Sequence, residues 1–253
     1  MQAVRDSWYL MLRGLRESLR QPGIEIGNIF IPMFFFAITV GAISGVAARA
    51  FGVSNYVGFQ MPVAILQGVA GSAGSGGMGM VTDIERGYFD KLLLTPAPRI
   101  SLVIGRLAAD GVRVMIIAVL LLIAGLVTGS GMASGPGGAL LLIVMAGLFG
   151  LAYSGIGLAI ALKTGSAQAA QLGFLIFFPL LFLSPAFAPK AVFSPWLEAV
   201  ATVNPVTYIL EGMRGLVLSG WDARALAEAF AAIILLGAFT MSMTFAALRS
   251  RTA

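Results

Sequence analysis

Long uncharged stretches separated by short charged ones set the pattern of this chain. No ionisable residue lies between Glu25 and Arg49, Arg49 and Asp83, Arg113 and Lys163, Lys163 and Lys190, or Glu228 and Arg249. A membrane-spanning helix needs roughly 20 apolar residues, so the first, fourth and fifth gaps each hold one. The second gap holds one helix plus a loop around Gly52 to Asn55. The third holds two, joined by the glycine-rich turn Gly129 to Gly138. The pattern predicts an all-α membrane protein with six spans, near residues 26–48, 57–81, 105–127, 139–162, 168–187 and 226–247, within a single transmembrane domain over 1–253.

Three segments outside the spans carry their own patterns. In the first, residues 1–23, Val4, Trp8, Met11, Leu12, Leu15 and Leu19 recur at helical spacing while Arg5, Arg13, Arg16, Glu17 and Arg20 lie mostly elsewhere on the wheel. Such a helix is expected to lie along the inner leaflet with its arginines at anionic headgroups. It serves either as an anchor alone or also as a contact for a cytosolic partner. Gln21-Pro22-Gly23 then turns the chain toward the membrane.

The second segment, residues 83–99, is a charged island. Asp83, Glu85 and Arg86 leave the second span, and Tyr88, Phe89, Leu92 and Leu93 form one apolar face of a short helix over about Ile84 to Leu94. Thr95-Pro96-Ala97-Pro98 stops it, because proline lacks an N–H and restricts the residue before it. The expected use of that apolar face is to seat in a partner's groove while the charges fix the register.

The third segment, residues 186–225, is too apolar for an ordinary loop and too interrupted to span. Asn204 caps a helix that begins at Pro205 and runs to about Leu218, stopped by Ser219-Gly220. Glu211 and Arg214 fall at i,i+3 for an ion pair. A re-entrant hairpin in the outer leaflet is expected, with Trp196, Tyr208 and Trp221 at the interface.

Composition narrows the function. Of 253 residues 58% are hydrophobic and 11% charged, more apolar than a soluble core requires. The net charge of +5 is a topology signal rather than a sign of nucleic-acid binding. With six spans, Arg5, Arg13, Arg16, Arg20, Arg86, Lys91, Arg99, Arg106, Arg113, Lys163, Arg249 and Arg251 share a side. Only Arg49, Lys190, Arg214 and Arg224 face the other. Basic residues favour the cytoplasm, which places both termini there, in the inner (plasma) membrane.

No cleavable signal peptide is expected, because the first apolar run is long enough to span and lacks a cleavage site. Cysteine and histidine are absent, which removes disulfides, thiolate metal sites and the commonest proton shuttle. No metal site, cofactor site or catalytic set is expected in the chain itself.

Within the second span, Gly68, Gly71, Ser72, Gly74, Ser75, Gly76, Gly77 and Gly79 recur at short intervals. They allow close helix packing or a pliable span. Arg106, Asp110 and Arg113 share a helical face at the start of the third span and are expected to pair with one another.

Two motifs link these parts. The first is E-R-G-x-x-x-K-L-L-x-T-P-x-x-R, present as Glu85-Arg86-Gly87, Lys91-Leu92-Leu93, Thr95-Pro96 and Arg99. The second is N-P-x-T-Y…E-x-x-R, present as Asn204, Pro205, Thr207, Tyr208, Glu211 and Arg214. In this order and layout the chain resembles the membrane subunit of ABC type-2 exporters, most closely the daunorubicin-resistance-like drug-efflux permeases. The resemblance implies a permease that pairs with a second copy or a related permease and with two cytosolic ATPase subunits.

It further implies that residues 83–99 form the coupling site, with Glu85, Arg86, Tyr88, Phe89, Lys91, Leu92, Leu93 and Arg99 as its candidate residues. The N-terminal helix, with Trp8, Arg13, Arg16 and Arg20, would be a second contact. The chain has no G-x-x-x-x-G-K-[ST] run, so ATP and magnesium would belong to the partner. Phe34, Phe35, Phe36, Phe174, Phe177, Phe178 and Phe182 favour an apolar or amphipathic cargo, drug or lipid-like. The alternative reading, an ion- or proton-coupled transporter, calls for ionisable groups deep in the spans beside broken helices. Pro32, Pro62 and Pro179 offer breaks, but no deep ionisable residue accompanies them.

Overall fold

The computed structural model describes residues 2–95 and 98–252. Among them there are helices and no strands. The chain opens with α1 (Gln2–Leu19) and turns at Arg20 and Gln21 into α2 (Pro22–Phe51), whose proline occupies the first turn, where its missing N–H costs nothing. Gly52, at φ 66°, closes α2 in the left-handed conformation. Asn55 then caps α3 (Tyr56–Glu85) by accepting from the Gly58 N–H at 2.8 Å. Beyond it come α4 (Tyr88–Leu93), α5 (Arg99–Val127), α6 (Gly135–Thr164), α7 (Ala167–Ala170), α8 (Leu172–Phe182), α9 (Pro195–Val203), α10 (Pro205–Leu218) and α11 (Ala223–Thr252).

Four helices, α2, α5, α6 and α11, are long and apolar enough to cross a membrane. Each contains its predicted span with a few residues added at the ends. The predicted second span falls on the 30-residue α3, which is not among these four and has a different character. Gln60, Gln67 and the glycine-serine run lower its hydropathy, and nearly the whole helix is buried between α2, α5, α6, α8 and α10. Facing protein rather than lipid, it can carry polar groups.

The fifth predicted span, 168–187, is corrected. It is the broken helix Ala167–Phe182, interrupted at Gln171 and ending in turns from Leu183. At 1.5 Å per residue it covers about 24 Å, short of the roughly 30 Å hydrocarbon core.

Helices in lipid gain little from burying apolar surface, so close approach and hydrogen bonds hold them together. A Cβ added to Gly77 of α3 would meet the Gly157 carbonyl of α6 at 2.8 Å, so the two backbones cross where only glycine fits. The small-residue run therefore serves packing. Hydroxyls join α11 to α6: Thr240 donates to the Ala152 carbonyl at 2.6 Å and Thr244 to Gly155 at 3.0 Å. Tyr153 donates to the Gly173 carbonyl at 3.0 Å and packs edge-on to Phe177, locking α6 to α8.

Candidate coupling site and arginine clamp

The island at 83–99 folds differently from its pattern. α3 continues to Glu85, so Glu85 and Arg86 belong to the end of the long helix and not to one helix from Ile84 to Leu94. Gly87, at φ 65° and ψ 13°, makes the reversal, and its N–H donates to the Ile84 carbonyl at 2.9 Å. A left-handed residue here is cheap only for glycine. The separate helix α4 follows. Pro96 and Ala97 of the stop signal lie outside the described residues; α4 ends at Leu93, and Thr95 donates to the Leu92 carbonyl at 2.6 Å.

The apolar face of α4 points into the protein. Phe89 is buried beside Met80, Val81, Leu102, Val103 and Leu107, with Leu92 and Leu93 packed on the same cluster. Tyr88 is half-buried and lies under the Arg13 guanidinium, 3.8 Å from the ring centre. An apolar face already seated on α3 and α5 is not free for a partner's groove, which corrects that expectation. What α4 and its flanks expose is Glu85, Arg86, Asp90, Lys91, Leu94, Thr95 and Arg99.

Beneath this surface is an ionic joint. The buried Asp83 carboxylate accepts two bonds from Arg13 of α1, at 2.5 and 3.1 Å, and one from Arg106 of α5 at 2.7 Å. Arg106 also donates to the Gly76 carbonyl at 3.2 Å. One side chain thus ties α1, α3 and α5 together. Partial burial works against the Arg13 charge, but the hydrogen bond and the negative charge of Asp83 outweigh it and hold Arg13 above its ordinary range.

Arg106 therefore pairs across helices, and the expected trio reduces to Arg113 with Asp110. Arg113 also reaches Glu25 of α2 at 3.2 Å, and Ser18 donates to the same carboxylate at 2.5 Å. Sequence reasoning did not place Asp83 at a joint. The signal was a carboxylate at the end of an uncharged span, with Arg106 at the start of the next span and Arg13 on the amphipathic helix before the first.

The helix α1 is docked lengthwise along α5 and is not merely laid on a leaflet. Ser101 donates to the Ala3 carbonyl at 3.2 Å, and a Cβ at Gly105 would meet the Ser7 carbonyl at 2.8 Å. Of its predicted apolar stripe Met11 is buried, whereas Val4, Trp8 and Leu19 are exposed. Arg13 leaves the basic face for Asp83; Arg16 and Arg20 remain exposed.

At the opposite end the segment predicted as a hairpin folds into two consecutive helices, α9 and α10. Asn204 accepts from the Val206 N–H at 3.0 Å and donates to the Leu180 carbonyl at 2.6 Å, with Pro205 at the first helical position. Tyr208 donates to the Thr202 carbonyl at 2.6 Å, closing α10 onto α9. The expected pair of Glu211 with Arg214 is not made. Arg214 instead turns inward, stacks over the Phe59 ring at 3.5 Å, and donates to the carbonyls of Phe59 at 3.2 Å and Ala186 at 3.5 Å. Trp196 and Trp221 are exposed.

With both regions placed, likeness to known proteins decides the family. Residues 5–218, from α1 through the end of α10, match the model of the ABC-2 type transporter family. The chain belongs to that family. It is a multi-pass membrane protein of the permease class, the transmembrane subunit of an ABC exporter.

The daunorubicin resistance ABC transporter permease DrrB1 of Streptomyces coeruleorubidus is 25% identical over 195 residues, 76% of this chain and 67% of the relative. The putative transport permease ycf38 of Porphyra purpurea is 26% identical over 217 residues, 84% of this chain and 74% of the relative. The probable doxorubicin resistance permease DrrC of Mycobacterium tuberculosis is 25% identical over 202 residues, 77% and 70% respectively.

Proposed function

We propose that this ABC-2 permease exports an apolar or amphipathic, drug- or lipid-like cargo, driven by two cytosolic ATPase subunits and paired with a second copy or a related permease. α3 and the broken helix α7–α8, the latter completed by the turns that follow Phe182, join the four longer apolar helices to give six spans, with both termini in the cytoplasm of the inner membrane. α9 and α10 form the re-entrant hairpin in the outer leaflet. Residues 83–99 are the coupling site.

The observation that carries this reading is the build of α4. Its apolar side is packed on α3 and α5 through Phe89, and its exposed side is a charged edge of Glu85, Arg86, Asp90, Lys91 and Arg99. A push on that edge is transmitted to two long helices and, through Asp83, to α1. Phe89, Leu92 and Leu93 act as the seat, while Glu85 and Lys91 act as contacts. The aromatic side chains left exposed on α2 and α8, Phe30, Phe34, Phe35 and Phe182, suit either a second copy or the cargo. The names of DrrB1 and DrrC as daunorubicin and doxorubicin resistance permeases support the drug-like cargo class.

The test is to purify the chain with a Walker-motif ATPase encoded beside it and follow ATP-driven cargo uptake in inverted vesicles. Charge reversal at Glu85 and Lys91 together should leave the permease folded but uncouple hydrolysis from transport. Uptake driven by a proton gradient without ATP would refute the reading. Because the chain has no cysteine, Thr95→Cys supplies a unique thiol. It should react with an impermeant maleimide in inverted vesicles and not in intact cells; the opposite result would reverse the topology.

A further inference from the structure

A recess of about 570 Å³ opens between the outward side of α1 and the α3–α4 turn, lined by Tyr9, Arg13, Arg16, Arg20, Gln21 and Arg86 among others. Its charge is unbalanced. Arg13 is neutralised by Asp83, and Glu17, which also borders the recess, stands 4.0 Å from both Arg13 and Arg106. Among the described residues Arg16, Arg20 and Arg86 have no carboxylate within ion-pair distance. Three uncompensated guanidinium groups from two separate elements therefore border one space. Its size lies within the range of small-ligand sites.

Guanidinium groups in this arrangement match phosphate oxygens, which they bind through paired N–H donors. Location favours a membrane source for the phosphate. Arg20 precedes by two residues the start of α2, a helix able to cross the bilayer. The recess is edged by exposed Tyr9, and the same helix exposes Trp8 and Leu19, the residue types that settle at headgroup level. A free cytosolic anion would need none of this apolar edge.

We propose that the recess binds the phosphate of an anionic phospholipid headgroup and thereby ties α1 to the α3–α4 turn. Assignment to the inner leaflet rests on the topology proposed above; the phosphate site itself does not. Bound lipid spans Arg16 and Arg20 on one side and Arg86 on the other, next to the Gly87 reversal. The lipid thus steadies the joint on which α4 moves.

The permease alone suffices for the test, which keeps it independent of the ATPase partner. Purified protein is titrated with phosphatidylglycerol or with phosphatidylcholine of the same acyl chains, and bound lipid is counted by native mass spectrometry. Phosphatidylglycerol should bind more tightly, and Arg16→Gln, Arg20→Gln and Arg86→Gln should each weaken it about fivefold. Arg5→Gln, an exposed charge on the same helix outside the recess, should leave it unchanged. The triple lysine variant, which keeps the charge, should retain part of the preference; unchanged thermal midpoints show that the variants are folded.

Equal binding of the two lipids would overturn the proposal. So would an Arg5→Gln loss as large as the others, which would mean diffuse attraction only. Full displacement by excess inorganic phosphate would assign the site to a soluble anion instead, and stoichiometric release of bound lipid on adding the ATPase would assign it to the partner protein.

Discussion

Each end of the helix bundle is closed by arginines drawn in among the helices, and the two ends are closed by different chemistry. At the α4 end, Arg13 and Arg106 share the Asp83 carboxylate, and Arg113 is matched by Asp110 and Glu25. At the hairpin end Arg214 meets no carboxylate among the described residues and is satisfied by two carbonyls and the Phe59 ring. A joint of opposite charges between separate helices holds firmly when complete and fails when one member is lost. A clamp on neutral carbonyls loses only the clamp. The first suits the proposed coupling end, where force would enter through α4; the second suits a cap that holds the start of α3, the exit of α8 and α10 in register.

Removing the shared carboxylate should give the largest effect. Asp83→Asn leaves Arg106 buried with only the more distant Glu17 and the Gly76 carbonyl. Breaking such a pair costs about 3–5 kcal/mol. Arg13 is one-third exposed in its side chain and rehydrates, so the lower end, about 3 kcal/mol, is expected. Thermal unfolding of the purified protein measures it. Arg13→Gln should cost far less, since Asp83 then keeps Arg106; equal losses would show that Asp83 serves α1 alone.

Arg214→Leu comes next, with an expected loss of about 2 kcal/mol from its charged hydrogen bonds and the ring contact. The clamp predicts that Arg214→Lys rescues little, because an ammonium group lacks the planar fork that reaches two carbonyls while covering a ring. Rescue by lysine, or a parallel loss on Glu211→Gln, would restore the ion pair in place of the clamp.

Gly87→Ala probes the turn between α3 and the short helix α4 of the proposed coupling site. Nothing lies within 4 Å of a Cβ at that position, so only the left-handed backbone opposes it, at about 1–2 kcal/mol. The expected readout is a modest stability loss with a larger loss of ATP-driven transport, because a re-angled α4 misplaces Glu85 and Lys91. A transport loss no greater than the stability loss predicts would show that the turn angle does not matter.

How these two ends looked in the sequence differs as much as their chemistry. Charge gaps located all the apolar helices, since an uncharged run of span length has few other uses. They also located α3, which hydropathy alone undervalues because Gln60, Gln67 and its glycines face neighbouring helices. The hairpin helix was legible from Asn204-Pro205 because a cap acts locally. The partners of Arg13, Arg106 and Arg214 were not. Each hydrogen-bond partner lies 23 or more positions away in the chain, and helical spacing reports only neighbours three and four apart. Local pairing therefore suggested Arg214 with Glu211 and Arg106 with Asp110, and tertiary packing overrode both. The face of α4 was misread for the same reason: an apolar stripe shows that something covers it, but not whether the cover is a partner or the chain's own α3 and α5.

The smallest effect should come from the most exposed of the ion pairs that follow local spacing among the described residues. Arg224 and Glu228 lie at i,i+4 on α11 with the Arg224 Nε 2.9 Å from the carboxylate, and 88% of the arginine side chain is exposed. Water solvates both partners when they separate, and salt screens what attraction remains. Arg224→Ala should leave the thermal midpoint unchanged at both low and high salt, whereas Asp83→Asn should be destabilising at both. A measurable, salt-sensitive loss at Arg224 would mean that exposure fails to separate these pairs. The contrast between the ends would then rest on charge count alone, and Arg214, with no carboxylate, would have to be the weakest of the three.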